Sequence, residues 1–448
     1  MQNAPFQKWV LNPLNRIAKK PTTSVFVLFG ATIMALFFAN SPFSDSYLQI
    51  WETKISFKIH NFEVEKSLLK WINDGLMSIF FFVIGLELKR EIIAGELSNP
   101  KKAIVPILGG IGGMVLPALI YVFFTYSFTD ESLNGWGIPM ATDIAFSLGV
   151  LYLLGNKVPT SIKIFILALA IIDDIGAVLV IAFFYTSDIS TLSLVYGAVF
   201  FGLMVLLNVL KIRSTYVYGI VGIFGLWLAF LLSGIHATIA AVLAAFTIPS
   251  YIEISREEYA KKMKRLAEKF HSCESGNYDI ATYEEEGILH EISDSTYKIT
   301  SPLQNLEHFL HPIVSYVVLP IFALANAGVA LDGDLQQLLL SPITLGVGLG
   351  LLLGKVLGIV GIIFIADKLK FIKLPKSLSY PNLLGVSLLT AIGFTMSLFI
   401  TSLAFETPVY MEKAKIGILI ASLLGGFLGY WVLKRTLVKS NFDEDEEK

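Results

Sequence analysis

The chain has 448 residues, of which 54% are hydrophobic and only 16% are charged. A soluble domain carries about 25% charged residues, so this composition argues against a soluble enzyme and favours a protein embedded in a bilayer. The formal net charge of −2 gives no indication of nucleic-acid binding, and the single cysteine, Cys273, excludes an intrachain disulfide framework.

Apolar blocks of about 20 residues alternate with short polar connectors along the chain, which is the pattern of membrane-spanning helices. We therefore predict an all-α polytopic membrane protein with about 12 transmembrane helices. The predicted spans cover residues 24–41, 70–93, 103–126, 134–154, 161–186, 191–210, 215–232, 234–250, 309–330, 341–366, 382–405 and 413–434.

The distribution of Lys and Arg among the connectors predicts the orientation, because basic connectors stay in the cytoplasm. Basic residues occur in the N-terminal segment 1–23 and in the connectors after spans 2, 4, 6 and 10. The alternate connectors "TYSFTDESLNGW", "YTSDISTLS" and "ANAGVALDGDLQQLLLSP" contain none. We therefore place both termini, including the acidic tail 437–448, in the cytoplasm. Lys413 and Lys415, in the last outer connector, depart mildly from this pattern.

Two connectors are long enough to hold structure of their own. In the first outer connector, Ile, Phe and Val alternate with polar residues over 45–65, which predicts a short β-hairpin whose exposed edge invites pairing with a second copy. The predicted cytoplasmic insertion 251–300 separates the membrane blocks 24–250 and 301–436. It begins with the helix-like "SREEYAKKMKRLAEKF" and continues into acidic sequence, which predicts a partly disordered appendage. The insertion is either a tolerated surface element or a regulatory one.

Four charged residues lie inside predicted spans, where each costs about 2.5–3.5 kcal/mol at a helix centre. They are Asp143 in "GIPMATDIAFSLGV", the adjacent Asp173 and Asp174 in "LALAIIDDIGAVLVIAFF", and Lys355 in "LLLGKVLGI". An ion pair that only fixes helix packing needs one acid, and this chain supplies three. The set therefore favours a polar cavity between several helices over a purely structural ion pair.

The aspartate pair suits a competition between protons and a cation. Adjacent helix residues point about 100° apart, so one of Asp173 and Asp174 can face a water-filled cavity while the other reaches Lys355 on a neighbouring helix. A carboxylate binds a proton or a small hard cation, but not both on the same oxygens. Burial beside a second acid moves the titration of a carboxylate towards neutral pH. Exchange of two protons for one monovalent cation would move net charge.

Spans 4 and 11 contain residues that interrupt helices, namely Gly137 and Pro139 in span 4 and Gly393 in span 11. Irregular backbone at membrane depth is tolerated only where it lines a cavity or is buried in protein. Interrupted helices in corresponding positions indicate a transporter site built from inverted repeats, here spans 3–5 and 10–12. Crossed breaks would bring helix ends face to face, with partial charges that Asp143 and Lys355 offset. For span 11, an ordinary flexible helix is the alternative.

A series of motifs occurs in order along the chain: "FFVIGLELKRE", "IPMATDIAFSLGVLYLLG", "LALAIIDDIGA", "LSGIHATIA", "LEHFLHP", "LPIFALANAGV", "LLLGKVLGI" and "AIGFTMSLFITSLAF". Together they resemble the NhaA-type sodium/proton antiporters over nearly the whole chain, except the tails and residues 253–300. That family is itself an example of inverted repeats with broken helices, so the repeat prediction and the resemblance are not independent.

The resemblance implies a secondary active transporter, not an enzyme, which extrudes Na⁺ or Li⁺ in exchange for protons and uses no cofactor. It implies that Asp174 is the main cation carboxylate, with Asp173 beside it as the partner of Lys355 and as a gate or second proton carrier. Whether Asp173 or Lys355 carries the second proton stays open. Thr142 and Asp143 would belong to the crossing and support the cation site.

The resemblance also implies electrogenic exchange of two protons per Na⁺, a bacterial cytoplasmic (inner) membrane location and a homodimer formed through the outer hairpin. It further implies regulation by pH. The matching pH-sensing positions are Glu87, Glu91, His236, Glu307 and His308. Glu87 and Glu91 are alternatively ordinary ion-pair partners on a helix surface, and His236 is alternatively a structural histidine near a span end. Asp74 has a functional role or caps a helix.

Other membrane activities fit these residues less well. An intramembrane aspartyl protease needs aspartates on two helices, usually with a G-x-G-D signature, which this sequence lacks. A membrane prenyltransferase needs carboxylates four residues apart around Mg²⁺–diphosphate, but Ala177 and Val178 occupy the corresponding positions. A sodium-coupled solute symporter needs a larger polar pocket than four charges indicate. A passive cation channel would not need the aspartate pair to titrate.

Overall fold

The structure is a computed structural model that describes residues 21–59, 62–186, 190–273, 280–330, 335–375 and 378–446. Within these residues the protein is helical almost throughout, and the only sheet they contain is a two-stranded hairpin. The predicted all-α polytopic membrane protein is therefore confirmed. Most of the predicted N-terminal segment 1–23 lies outside the described residues.

Each predicted span coincides with a helical segment, and we number these segments α1 to α12. They are α1 (Pro21–Ala39), α2 (68–94), α3 (Pro100–Thr125), α4 (134–152), α5 (Thr160–Phe184), α6 (Thr191–Val209), α7 (Thr215–Leu231), α8 (Ala237–Thr247), α9 (Pro302–Asn326), α10 (Pro342–Lys368), α11 (380–404) and α12 (Pro408–Glu446). Because α12 continues to Glu446, most of the predicted acidic tail is an extension of this last helix.

Six helices in the described part of the chain, α3, α5, α6, α9, α10 and α12, are long and apolar enough to cross a bilayer by themselves. The number rises to eight if two bent pairs each count as one span: α1 with the helix after it, bent by 113°, and the two halves of α11, bent by 47°. Helix α8 has only 11 residues and rises about 16 Å. It reaches across about half of the hydrocarbon core.

Several of the segments depart from regular α-helix. Short π-helical turns occur at Ile72–Leu76, Val221–Trp227, Val314–Val318 and Gly350–Gly354. Such turns are frequent at functional sites because they rotate the side chains that follow. The turn Gly350–Gly354 ends immediately before Lys355.

The predicted outer hairpin is shorter than residues 45–65. Strands β1 (Lys54–Ile59) and β2 (Phe62–Ser67) pair antiparallel. Residues Ser44–Glu52 form a helix instead, in which the ring of Tyr47 meets that of Trp51 edge-on at 5.8 Å. Residues four apart share a helix face, so the hairpin prediction overlooked the helical spacing of Tyr47 and Trp51.

An ion pair joins the hairpin to α2. The Lys66 ammonium lies 2.6 Å from a carboxylate oxygen of Asp74. Asp74 is therefore not the predicted helix cap, since it lies in the π-helical turn of α2 and the cap of α2 is Ser67.

The described part of the insertion is helical, which corrects the predicted disorder of its acidic half. Helices Arg256–Ser272 and Tyr283–Ile299 pack against each other, and residues 274–279 lie outside the described residues. Leu266 and Ile288 are buried. The polar composition suggested disorder. It misled because a pair of helices needs only a few apolar residues at helical spacing to form an interface.

Arg213, in the connector between α6 and α7, fastens the insertion to the membrane helices. Its guanidinium donates to the carboxylate of Glu253 at 2.8 Å and to the carbonyl oxygens of Tyr297 and Thr300 at 3.0 and 2.8 Å. These carbonyls lie at the end of the second insertion helix, where a cation is favourable because it offsets the helix dipole.

Glycines allow α3 and α10 to pack with their backbones in contact. A Cβ added at Gly112 would overlap the carbonyl oxygen of Gly358, and a Cβ added at Gly358 would overlap that of Gly112. Small residues of this kind permit close helix packing in membranes. This approach brings Lys355 of α10 to the aspartates of α5.

Candidate functional site

The interruptions of α4 and α11 meet inside the protein. Helix α11 stops at Thr390 and resumes at Phe394, so span 11 is broken and is not an ordinary continuous helix. In α4, a 3₁₀ helix at Asn134–Met140 precedes the α-helix Ile144–Tyr152. The Asp143 amide donates across the crossing to a carbonyl oxygen of α11 at 2.7 Å.

Two serines reinforce this crossing with reciprocal hydrogen bonds. The Ser147 hydroxyl of α4 donates to the Leu389 carbonyl of α11, and the Ser397 hydroxyl of α11 donates to the Ile138 carbonyl of α4, each at 2.8 Å. The matched contacts are what two inverted repeats would produce. Sequence reasoning missed Ser147, although each serine follows its break by four residues, after Asp143 and Gly393.

Asp143 caps two helices at once. One carboxylate oxygen accepts the Phe146 amide at 2.9 Å, and the other accepts the amide and hydroxyl of Thr395 at 3.0 and 2.5 Å. The helices Ile144–Tyr152 and Phe394–Ala404 thus both begin at this buried carboxylate. Its negative charge offsets the positive ends of both helix dipoles, as the sequence predicted.

Lys355 lies at the opposite end of the interruption in α4. Its ammonium donates to the Met140 carbonyl and to one carboxylate oxygen of Asp173, both at 2.5 Å, and Lys355 and Asp173 are fully buried. Met140 is the last residue of the 3₁₀ helix, so the ammonium offsets a negative helix end. The Thr142 hydroxyl donates to the same oxygen of Asp173 at 2.7 Å.

Asp174 has no comparable partners. It is fully buried, and neither carboxylate oxygen has a hydrogen-bond partner among the described residues. A buried ionised carboxylate is costly unless it is neutralised or paired. No group of three or more His, Cys, Asp and Glu side chains in the described ranges could hold a metal ion. A cation at Asp174 would therefore depend on carbonyl, hydroxyl or water oxygens for its other ligands.

A cavity lies beside α5 at the predicted cytoplasmic side. This cavity of about 440 Å³ is lined by Glu91, Lys102, Ile164 and Leu167, among others. Seven residues of α-helix rotate to within about 20° of the starting direction and rise about 10 Å. Asp174 follows Leu167 by seven residues, so it lies on the same face of α5 about 10 Å further along the helix, where it is fully buried.

Four of the predicted pH-sensing residues lie on α2 and α9. Arg90 of α2 is 3.2 Å from the Glu91 carboxylate and 3.4 Å from that of Glu307 on α9. Glu87, one turn before Glu91, interacts electrostatically with Glu307 and with Asp174. His308 follows Glu307 and is exposed.

His236 is separate from this cluster. It precedes α8, and its Nε2 lies 2.8 Å from the carbonyl oxygen of Tyr185, just after α5. The charged groups that act on it are Asp74 and Lys66, near the outer hairpin. The five predicted pH-sensing residues are therefore not one cluster.

Comparison with known proteins identifies the family of this chain. The family described as Na⁺/H⁺ antiporter 1 matches residues 15–433. The chain is 46% identical over 443 residues to the Na⁺/H⁺ antiporter NhaA of Sulfurimonas denitrificans, with 98% of this chain and 99% of that protein covered. It is 44% identical over 436 residues to NhaA of Oleidesulfovibrio alaskensis, with 97% and 96% covered. It is 43% identical over 440 residues to NhaA 1 of Saccharophagus degradans, with 96% and 94% covered.

Proposed function

The chain belongs to the Na⁺/H⁺ antiporter 1 family, and we propose that it exchanges Na⁺ or Li⁺ for protons across a bacterial cytoplasmic membrane. The observation that carries this proposal is the contrast between two adjacent buried acids. Asp173 receives two hydrogen bonds on one oxygen, whereas both oxygens of Asp174 have no donor among the described residues. Asp174 therefore keeps its oxygens for an exchangeable ligand.

Competition at Asp174 gives the exchange step. When the carboxylate is ionised, its oxygens bind a small cation together with nearby carbonyl, hydroxyl or water oxygens. When it is protonated, the same oxygens lose their charge and release the cation. Because one site binds either ligand, each cation that leaves to one side is replaced by a proton from that side.

The Asp173–Lys355 pair supplies a second titratable position. A cation on Asp174 places positive charge beside the Lys355 ammonium, which favours loss of a proton from the pair by repulsion. Exchange of two protons for one cation is then electrogenic, with Asp173 or Lys355 as the second carrier. The net charge moved couples the cycle to the membrane potential, at about 2.3 kcal/mol for each 100 mV. This free energy corresponds to a change of about 50-fold in the ratio of cation concentrations on the two sides of the membrane.

The cluster of Glu87, Glu91, Glu307 and His308 is proposed to regulate the exchange by pH. Glu91 lines the cavity beside α5, and Arg90 links Glu91 to Glu307. A change in the charge of this cluster would alter the potential along the route. His236 would act from the other side of the protein.

We also propose a homodimer, with both termini in the cytoplasm. A two-stranded hairpin leaves strand edges open, and such an edge can pair with a second copy. Chemical cross-linking through single cysteines in β2, in a Cys273→Ser background, would join two chains if this proposal is right. Recovery of monomers alone would contradict it.

A vesicle assay tests the exchange. Purified protein is placed in proteoliposomes with an imposed pH gradient and a trapped pH-sensitive dye, and Na⁺, Li⁺ or K⁺ is added at several pH values. The proposal predicts that Na⁺ and Li⁺ collapse the gradient, that Asp174→Asn abolishes this response, and that Asp294→Asn on the insertion retains it. A wild-type protein with no response to any cation would contradict antiport and favour a sodium-coupled solute symporter.

A further inference from the structure

The 3₁₀ helix Asn134–Met140 and the residues directly after it contribute two groups to the Asp173–Lys355 pair. The Met140 carbonyl receives the Lys355 ammonium, and the Thr142 hydroxyl donates to Asp173. The position of both groups depends on where the far end of this segment is held. That far end, at Asn134, lies against the residues that follow α5.

Tyr185, the residue directly after α5, holds the far end. Its hydroxyl donates to the Asn134 carbonyl at 2.5 Å and accepts the Gly137 amide at 3.3 Å. The ring of Phe184, its neighbour, meets that of Trp136 edge-on at 5.0 Å. The same helix α5 therefore grips the segment at both ends, at Tyr185 and at Asp173.

The lengths of the two sides of this clamp agree with a 3₁₀ conformation of the segment. Twelve residues of α5, from Asp173 to Tyr185, rise about 18 Å. The segment 134–140 rises about 12 Å as a 3₁₀ helix, and two extended residues up to Thr142 add about 6–7 Å. An α-helix over 134–140 would rise only about 9 Å, so that with the same two extended residues this side would be about 2–3 Å shorter than α5.

The Tyr185 backbone is itself fixed from a third helix. Its carbonyl oxygen lies 2.8 Å from Nε2 of His236, and a carbonyl can only accept, so His236 carries its proton on Nε2 in this contact. His236 thus supports the outer anchor of the clamp. This gives a physical position for a residue that stands apart from the cluster on α2 and α9.

We propose that Tyr185 is a positioning residue for ion exchange, because its hydroxyl fixes the far end of the 3₁₀ segment and so places Met140 and Thr142 at the Asp173–Lys355 pair. The inference rests on the proposed antiport. The affinity of Asp174 for a cation depends on where the Lys355 ammonium lies, since like charges repel. Loosening the clamp should therefore change cation affinity more than the maximal rate.

The test compares two tyrosine variants in the vesicle assay. Tyr185→Phe removes the hydroxyl, and Tyr47→Phe is the matched control because its hydroxyl also donates to a backbone carbonyl, that of Leu324 at 2.5 Å. The helix of Tyr47 packs against α1 and the start of α2. Loss of the two hydrogen bonds of the Tyr185 hydroxyl leads us to expect a roughly 5- to 30-fold higher half-saturating Na⁺ concentration in Tyr185→Phe, with a near wild-type maximal rate. Tyr47→Phe should keep the wild-type value.

A second variant keeps the test decisive if Tyr185→Phe does not fold. In Gly137→Ala the new Cβ would lie 2.9 Å from the Tyr185 hydroxyl oxygen, so the contact is forced apart from its other side. The same rise in half-saturating Na⁺ is expected. A wild-type half-saturating Na⁺ concentration in folded Tyr185→Phe or in Gly137→Ala would overturn the positioning role. An equal rise in Tyr47→Phe would overturn it too. A wild-type protein without exchange would overturn the proposed function instead.

Discussion

Replacing Lys355 by methionine should destabilise the protein strongly, and the structure indicates how much. The ammonium is fully buried and lies 2.5 Å from Asp173 and from the Met140 carbonyl. Without it, the Asp173 carboxylate is a buried charge with only the Thr142 hydroxyl as donor. Removing one partner of a buried ion pair costs about 3–5 kcal/mol, and we expect a loss of this size in the free energy of unfolding of Lys355→Met.

The double variant Lys355→Met with Asp173→Asn separates the charge effect from the packing effect. It removes both charges and leaves only the Met140 carbonyl without its donor, which costs about 1–3 kcal/mol. The double variant should therefore be more stable than Lys355→Met alone. Such a result identifies a direct coupling, because independent sites give additive losses.

Unfolding in mixed detergent micelles, followed by tryptophan fluorescence at pH 8.5 and pH 6, measures these differences. The penalty of Lys355→Met should shrink at the lower pH, since protonation of Asp173 removes the unpaired negative charge. Wild-type protein and Asp294→Asn serve as references at both pH values. Losses that add up in the double variant, or a Lys355→Met penalty independent of pH, would refute the role assigned to the pair.

Four further predictions concern the crossing, the helix packing and the insertion. Asp143→Ala should lower the free energy of unfolding by about 2–4 kcal/mol because it removes the caps of two helices, and a loss below about 1 kcal/mol in the same micelle assay would argue against double capping. Gly112→Val should cost at least about 1–3 kcal/mol, since the new side chain overlaps the Gly358 backbone; wild-type stability would show that the helices can separate freely. Arg213→Ala should speed proteolysis within the insertion while leaving exchange intact. An unchanged cleavage rate would mean that the Arg213 hydrogen bonds do not hold the insertion in place. Deletion of 257–297 tests the hypothesis that the insertion regulates exchange, which predicts a displaced pH–activity profile in vesicles. A profile like that of the wild type would favour a tolerated surface element.

The spans and the charged site could be predicted from the sequence because bilayer physics restricts both. Apolar blocks long enough to cross a bilayer have few alternatives to helix. A charge inside such a block must find a partner, so chemistry could pair Lys355 with one of the two aspartates, and the family resemblance pointed to Asp173. Asp143 could be placed at the crossing because Gly137, Pro139 and Gly393 mark the two interruptions.

The side-chain directions at the site could not be predicted, because they depend on how helices rotate against each other. The sequence left open which aspartate faces the cavity. The shared helix face of Asp174 and the cavity-lining Leu167 becomes visible only in the structure. The anchor at Tyr185 was also hidden, since its contact depends on a 3₁₀ helix whose length must match α5. No local sequence signal distinguishes that conformation from an ordinary helical turn.

The soluble parts were predicted less well for a different reason. Residues Ser44–Glu52 lie within or beside the predicted hairpin 45–65, yet they form a helix against α1. The acidic half of the insertion has the composition of a disordered segment. Its helix is stabilised by the capping box of Thr282 with Glu285 and by packing on its partner helix. Tertiary contacts of this kind override composition and alternation.

The central claim is that a cation and a proton compete for Asp174, and proton release on cation binding tests it most directly. Purified protein in weakly buffered detergent solution would be titrated with NaCl, with choline chloride as the ionic-strength control, while the pH is recorded. The account predicts that Na⁺ binding releases protons, that less is released at high pH where the site is already ionised, and that Asp174→Asn abolishes both binding and release. Na⁺ binding without proton release, or full release in Asp174→Asn, would contradict it.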